Sequence, residues 1–309
     1  MPRKQSSADR VGSHGAGRRV SSFGAAVSNY ILIAPAYTAL ALFIVLPLIA
    51  AVWFGFFQFT VTGERVWVGG DNYVAAVTDP LTWHAVRISF QFTAMCVVFG
   101  TAITLAIALL LNPMPKRVRD FLRTTLYLPL VVPIAAVAVI WKWLYNYAFG
   151  LINYLTELVG LGRFDWLGSP DLALPSMTFM VLATSLGANI LIVLAAMDTV
   201  PAEYVEAAKL DGAGNGSIFF RVVLPLIRPA LLYVIVVQTI ASFQLFAPFV
   251  LMTKGGPVRS TTTLGYYIYQ TAFEQFDFGK ASALSVLMIL IISVLALVEF
   301  RLLRRNADV

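Results

Sequence analysis

The sequence predicts an all-α membrane protein with six transmembrane helices, and three observations carry that expectation. Of the 309 residues, 59% are hydrophobic and only 12% charged, with a mean hydropathy of +0.80, well outside the range of soluble globular chains. Six long intervals contain no Asp, Glu, Lys or Arg. Lys and Arg gather on alternate connections between them, as expected where basic loops are retained on one side of a bilayer.

Residues 1–28, "MPRKQSSADRVGSHGAGRRVSSFGAAVS", are polar, basic and rich in Ser and Gly, so they cannot bury enough surface to fold alone. They are expected to form a disordered cytoplasmic tail, with the six-span domain over 29–309. The first span lies between Arg19 and Glu64, with its apolar heart from Tyr30 to Phe57. This run is too long for a signal peptide and lacks a small-residue cleavage site, which predicts a retained helix. The remaining spans fall between Arg87 and Lys116, Arg123 and Lys142, Asp171 and Asp198, Arg228 and Lys254, and Lys280 and Glu299. Each is long enough for the roughly 20 residues that a crossing needs.

Orientation follows from the basic residues. One side carries the basic tail, then Lys116, Arg117, Arg119 and Arg123, then Lys209, Arg221 and Arg228, and finally Arg301, Arg304 and Arg305. The other carries only Arg65, Arg87, Arg163, Lys254, Arg259 and Lys280, interleaved with acids. Both termini are therefore expected in the cytoplasm, in a multi-pass protein of the cytoplasmic (inner) membrane. "WKWLYNY" (Trp141 to Tyr147) and Trp166 fall where an outer aromatic belt should lie. The basic balance then reflects loops facing anionic lipid and requires no nucleic-acid partner.

Signs of chemistry are absent. Cys96 is the single cysteine, and His14 and His84 belong to no H-E-x-x-H pattern, so neither a disulfide framework nor a metal centre is expected. No G-x-x-x-x-G-K-[ST] loop is present, so ATP hydrolysis by this chain itself is not expected, and "GAGNG" (Gly212 to Gly216) has the wrong spacing and context for a dinucleotide loop. No catalytic residue and no cofactor is assigned. With no carboxylate inside a span, a proton-driven carrier is disfavoured, although sodium coupling through backbone carbonyls stays open.

The connection over 199–228 is the most polar part of the apolar region. Pro201 suits a helix start, Glu203 and Glu206 suit its positive end, Ala202 to Leu210 favour helix and Gly212 supplies a stop. A second short helix is expected from Ser217, before Pro225 and Pro229 bracket entry into the fifth span. The result is a cytoplasmic helix-turn-helix at the membrane surface between spans four and five. Asn189 in span four, and Gln238, Ser242 and Gln244 in span five, are polar groups that line a substrate pathway or bond neighbouring helices. Phe243 or Phe246 would stack on a sugar ring, and Ser282 and Ser285 fit interhelical bonding better.

"EAAKLDG", followed after nine residues by "VVLP", closely resembles the E-A-A-x-x-x-G loop, with its trailing I-x-L-P, of the transmembrane subunits of binding-protein-dependent ABC importers. Glu206, Ala207, Ala208, Gly212, Leu224 and Pro225 match, while Val222 replaces the usual Ile. Asp211 with Gly212 and Ala213, "LPLIRPAL", "LMTKGGP", "YYIYQTAF" and "FGKASALSVLM" are similar to the carbohydrate-uptake branch, the maltose-type and glycerol-3-phosphate-type permeases. The similarity covers Tyr30 to Arg305, without the large outer domain of the maltose permease.

The resemblance implies a type I ABC importer permease fold whose 199–228 loop docks into a separate ATPase. Glu206 would pair with a basic group there, Ala207 and Ala208 would permit close approach, and Asp211, Gly212, Leu224 and Pro225 would complete the coupling element. It implies a second, different permease subunit, an ATP-binding cassette ATPase dimer and an extracytoplasmic substrate-binding protein. The cargo would be a sugar or related polyol. Uptake of glycerol-3-phosphate or a glycerophosphodiester is the alternative, and an ion-coupled carrier a weaker one.

Overall fold

A computed structural model describes residues 32–59 and 63–305; the tail expected over 1–28 lies outside them. The chain divides between Ala50 and Ala51 into two units. The first contributes most of α1 (Leu32–Phe54), an apolar helix with a π-helical turn at Ala41–Val45.

The second unit opens with a small hairpin, β1 (Phe57–Phe59) against β2 (Arg65–Trp67), antiparallel with Phe57 opposite Trp67. Next comes α2 (Asp71–Thr78), whose Asn72 Nδ2 donates to the carbonyls of Gly55 and Phe57 at 3.1 and 2.9 Å. Then follows α3 (Pro80–Leu111), started by Asp79, whose Oδ1 accepts the Leu81 amide, and by Pro80 in its first turn.

The third apolar interval is not one continuous helix. It forms α4 (Lys116–Tyr127), a 3-10 turn over Leu128–Val131, and α5 (Ile134–Leu144), with a bend of 94° between Lys116–Val131 and Ile134–Leu144. Pro129 and Pro133 explain the break: each lacks an N–H, and Pro133 forces Val132 into an extended conformation (φ −78°, ψ 129°). At about 1.5 Å per residue, α5 alone reaches only about 16 Å, short of a hydrocarbon core.

Beyond the short α6 (Leu151–Leu158) runs α7 (Pro170–Asp198). Two short helices, α8 (Ala202–Leu210) and α9 (Asn215–Leu226), lead into α10 (Arg228–Gln244). That span continues through a π-helical turn at Phe249–Thr253. The short α11 (Leu264–Tyr269) precedes α12 (Phe278–Arg305). Among the described residues, five helices are long and apolar enough to cross a membrane, and the bent α4–α5 pair makes a sixth crossing if counted as one.

Three apolar clusters organise the second unit. Ile88 and Phe92 of α3 meet Leu174 and Met177 of α7 in one, and Ala108 and Leu111 meet Val193, Leu194 and Met197 in another. The two helices therefore run in the same direction, and the α4–α5 elbow is the return between them. A third cluster joins the start of α3 to α11 and α12 through Ala85, Val86, Tyr267 and Leu284.

Candidate functional site

The polar connection between α7 and α10 folds as a helix-turn-helix. In α8 no residue is buried and Leu210 is 90% exposed. The helix ends as its glycine dictates: Gly212 takes φ +81°, its amide bonds the Lys209 carbonyl, and the Ala213 amide reaches back to Ala208, each at 3.0 Å. This paired closure satisfies the last carbonyls of the helix and turns the chain. The second helix begins at Asn215, two residues before the expected Ser217, because the carbonyl of the extended Gly214 already accepts the Ile218 amide at 3.0 Å.

Glu206 and Ala207 are exposed, Ala208 is half-buried, and Asp211 and Gly212 are exposed at the turn. Among the described residues Glu206 enters no ion pair. Leu224 and Pro225 are half-buried at the end of α9, where Leu224 joins the apolar cluster around Ile227. Ile218 and Phe219 are buried, and Val223 and Leu224 pack against the cluster shared by α3, α7 and α10, so α9 is the anchored half and α8 the presented half.

One feature at this end escapes the sequence reading. Asp198, the last residue of α7, accepts from Arg119 Nη1 on one oxygen and from Arg123 Nη2 on the other, both at 3.0 Å. A carboxylate at a helix C-terminus opposes the helix dipole, and the two guanidinium groups offset that. The link fastens the chain four residues before α8 to the first turns of α4. The signal available in the sequence is a lone acid closing an apolar helix on the side that also carries the Lys116–Arg123 basic run.

Asn189, Gln238 and Ser242 are brought together near the middle of the bundle. Gln238 Nε2 donates to the Cys96 carbonyl at 2.7 Å, and Gln238 Oε1 accepts from Asn189 Nδ2 at 3.3 Å, tying α3, α7 and α10. Ser242 is buried and shares a side-chain hydrogen bond with Cys96. Gln244 stands apart, exposed at the end of α10. Phe243 is enclosed edge-to-face against Phe90, whereas Phe246 is 44% exposed and stacks on Tyr269. Ser285 Oγ bonds back to the Ala281 carbonyl at 2.8 Å.

At the opposite end, Asp79 Oδ2 accepts from Tyr267 Oη at 2.6 Å and Lys280 Nζ at 2.8 Å, binding α3, α11 and α12. Burial alone would raise the Asp79 carboxyl, but these donors and the Leu81 amide hold it below the usual carboxylate range. The aromatic loop after α5 is organised by Asn153, 2% exposed, which bonds the backbone of Tyr147 and Phe164 and the indole of Trp166. Lys142 donates to the Leu251 carbonyl at 3.0 Å.

The reading that no carboxylate lies within a span needs correction at Glu299. The last helix continues past it to Arg305, and Glu299 Oε1 accepts from Thr239 Oγ1 of α10 at 2.7 Å. Its Oε2 is enclosed without a partner among the described residues.

Comparison with known proteins adds the following. The family model described as "Binding-protein-dependent transport system inner membrane component" matches residues 100–307. The chain is 32% identical over 276 residues to the sulfoquinovosyl glycerol transport system permease protein SmoG of Agrobacterium fabrum, covering 89% of each chain. It is 28% identical to the trehalose/maltose transport system permease protein MalF of Thermococcus litoralis, covering 91% of this chain and 95% of that one. A subunit of a bacterial alginate ABC transporter, solved with a periplasmic protein carrying an alginate pentasaccharide, matches with a TM-score of 0.78. It is 20% identical, over 91% of this chain and 95% of that one.

Proposed function

The chain belongs to the family of binding-protein-dependent transport system inner membrane components, and on that premise we infer that it is the membrane-spanning subunit of an ATP-driven importer for a sugar or related polyol. The observation that carries this reading is α8. Nine residues between two spans bury none of themselves, present Glu206 and Ala207 to solvent, and end in the turn at Gly212. An apolar chain has no stability reason to keep such an element, whereas a docking helix must be exposed before its partner arrives.

In this reading α8 and α9 lie in the cytoplasm, both termini are cytoplasmic, and the membrane is the inner one. The 199–228 loop engages an ATP-binding cassette dimer, with Glu206 facing a basic group, Ala207 and Ala208 at the contact, and Asp211, Gly212, Leu224 and Pro225 shaping the loop. The ATPase pair supplies the energy. This chain supplies a two-state membrane element, which the motor biases between inward-open and outward-open forms. A second, different permease subunit encloses the pathway, and an external binding protein delivers cargo. The cargos named for the relatives, sulfoquinovosyl glycerol and trehalose/maltose, support the carbohydrate class.

Along the pathway, Asn189 and Gln244 retain hydrogen-bonding capacity for a hydroxylated cargo. Gln238 and Ser242 fit interhelical bonding better, since their partners belong to the protein.

The test is reconstitution of the complex, with its ATPase and binding protein, in proteoliposomes. Uptake of labelled sugar should require internal ATP and the binding protein. Uptake driven by an ion gradient without ATP would overturn the reading in favour of a secondary carrier.

A further inference from the structure

A cleft of about 620 Å³ opens between the starts of α3 and α7 and the loop before α11, at the end of the bundle opposite α8. Its size falls within the ~300–1,000 Å³ usual for small-ligand sites. Its lining is rich in charged and hydrogen-bonding groups. The cavity of about 580 Å³ beside Trp141 and Trp166, and the one of about 250 Å³ beside Leu126 and Gly187, are bordered almost wholly by apolar side chains. This cleft instead carries His84, Arg87, Gln91, Asp171 and Ser260 above a floor of Met95 and Leu174.

The polar groups have spare capacity. Arg87 and Gln91 lie one turn apart on α3, so they face the cleft together. The Arg87 guanidinium makes a single long contact, 3.5 Å from Nη2 to His84 Nδ1, which leaves most of its five N–H donors unused. The His84 ring is itself fixed by the Arg259 carbonyl at 2.9 Å, so it holds the wall of the cleft and steadies Arg87. Across the opening, Asp171 has no hydrogen-bond or ion-pair partner among the described residues, and the enclosed Ser260 Oγ has none either. Arg87 and Asp171 are not within ion-pair distance of each other, so the two charges do not cancel.

We propose that this cleft receives cargo entering the membrane domain, and that Arg87 selects a polyol bearing an oxyanion. The guanidinium fork matches carboxylate, sulfonate and phosphate oxygens. Gln91 and Asp171 are placed to bond hydroxyl groups, and the Met95–Leu174 floor meets the apolar face of a sugar ring. The proposal rests on the importer reading and narrows its cargo to anionic carbohydrates and polyol phosphates.

Binding to the purified full-length chain in lipid nanodiscs tests it, by saturation-transfer NMR with glucose, glucuronate and sn-glycerol 3-phosphate. The two anionic probes should bind about tenfold more tightly than glucose, the size expected of one charge-assisted contact. Their ranking separates carboxylate from phosphate selection. Arg87→Gln should abolish the preference, Arg87→Lys should keep part of it, and Arg117→Gln at the other end should leave it intact. Equal binding of glucose and the anions, no binding of any probe, or a preference that survives Arg87→Gln would overturn the proposal. Failure of the importer reading shows separately, as absence of ATP-dependent uptake of any cargo by the reconstituted complex.

Discussion

The side-chain amide of Gln238 donates to the main-chain carbonyl of Cys96 at 2.7 Å, reaching it through the gap left by Gly100 one turn away. A methyl group at position 100 would lie 2.1 Å from Gln238 Nε2. Gly100→Ala should therefore expel the amide and leave buried polar groups unpaired, at a cost of about 1–3 kcal/mol. Thermal unfolding in detergent checks this. Gly100→Ala combined with Gln238→Ala should recover part of the loss, because the second change removes the displaced group.

Asp198 joins the loop end of α7 to α4. Asp198→Asn should reduce ATP-driven transport several-fold while lowering stability by only ~1 kcal/mol or less per ion pair, since both arginines and the carboxylate are partly solvated. Measuring ATPase activity beside transport reveals whether the motor still turns. Hydrolysis that persists while uptake falls is the expected outcome. Equal wild-type transport would show that the link has no mechanical role.

Glu206→Ala removes a solvent-exposed acid with no ion-pair partner among the described residues. It should leave the unfolding temperature unchanged yet weaken association with the ATPase, measured by co-purification and by coupled hydrolysis. Gly212 has open space around it but φ +81°, so Gly212→Ala strains the backbone without a clash. A cost of about 1 kcal/mol is expected from the left-handed conformation, with coupling impaired in parallel.

The Asp79–Tyr267–Lys280 cluster carries a pH dependence whose sign follows from its carboxyl. The Asp79 pKa is lowered in the folded chain, so its stabilisation is complete above the unfolded value of about 3.9 and disappears as pH falls through the folded value. Unfolding temperatures of the wild type and Asp79→Asn should differ at pH 6 and converge toward pH 3. A gap that stayed constant across that range would remove Asp79 as the titrating group.

Much of the architecture was legible because bilayers impose simple rules: charge-free length marks each crossing, and Gly212 placed the turn in the loop. The elbow at Pro129 and Pro133 was not, because hydropathy counts apolar residues and ignores the missing N–H groups. The Asp198 link and the Gln238 node depend on which helices become neighbours across 75 to 142 residues of sequence. No local pattern encodes that adjacency. A charge normally ends a span, so Glu299 marks a boundary in the sequence, and its position beside Thr239 emerges only from the packing of α10 on α12.

The right-angle elbow also creates a demand for hydrogen-bond donors. Where the α4–α5 path turns, two prolines leave carbonyls without their helical donors, and acyl chains cannot supply replacements. Gly187 of α7 meets the turn closely, for a Cβ there would sit 2.4 Å from the Leu126 carbonyl oxygen. Donors for such carbonyls must come from protein or water. The course of the backbone here is thus set by two imino acids and one missing methyl.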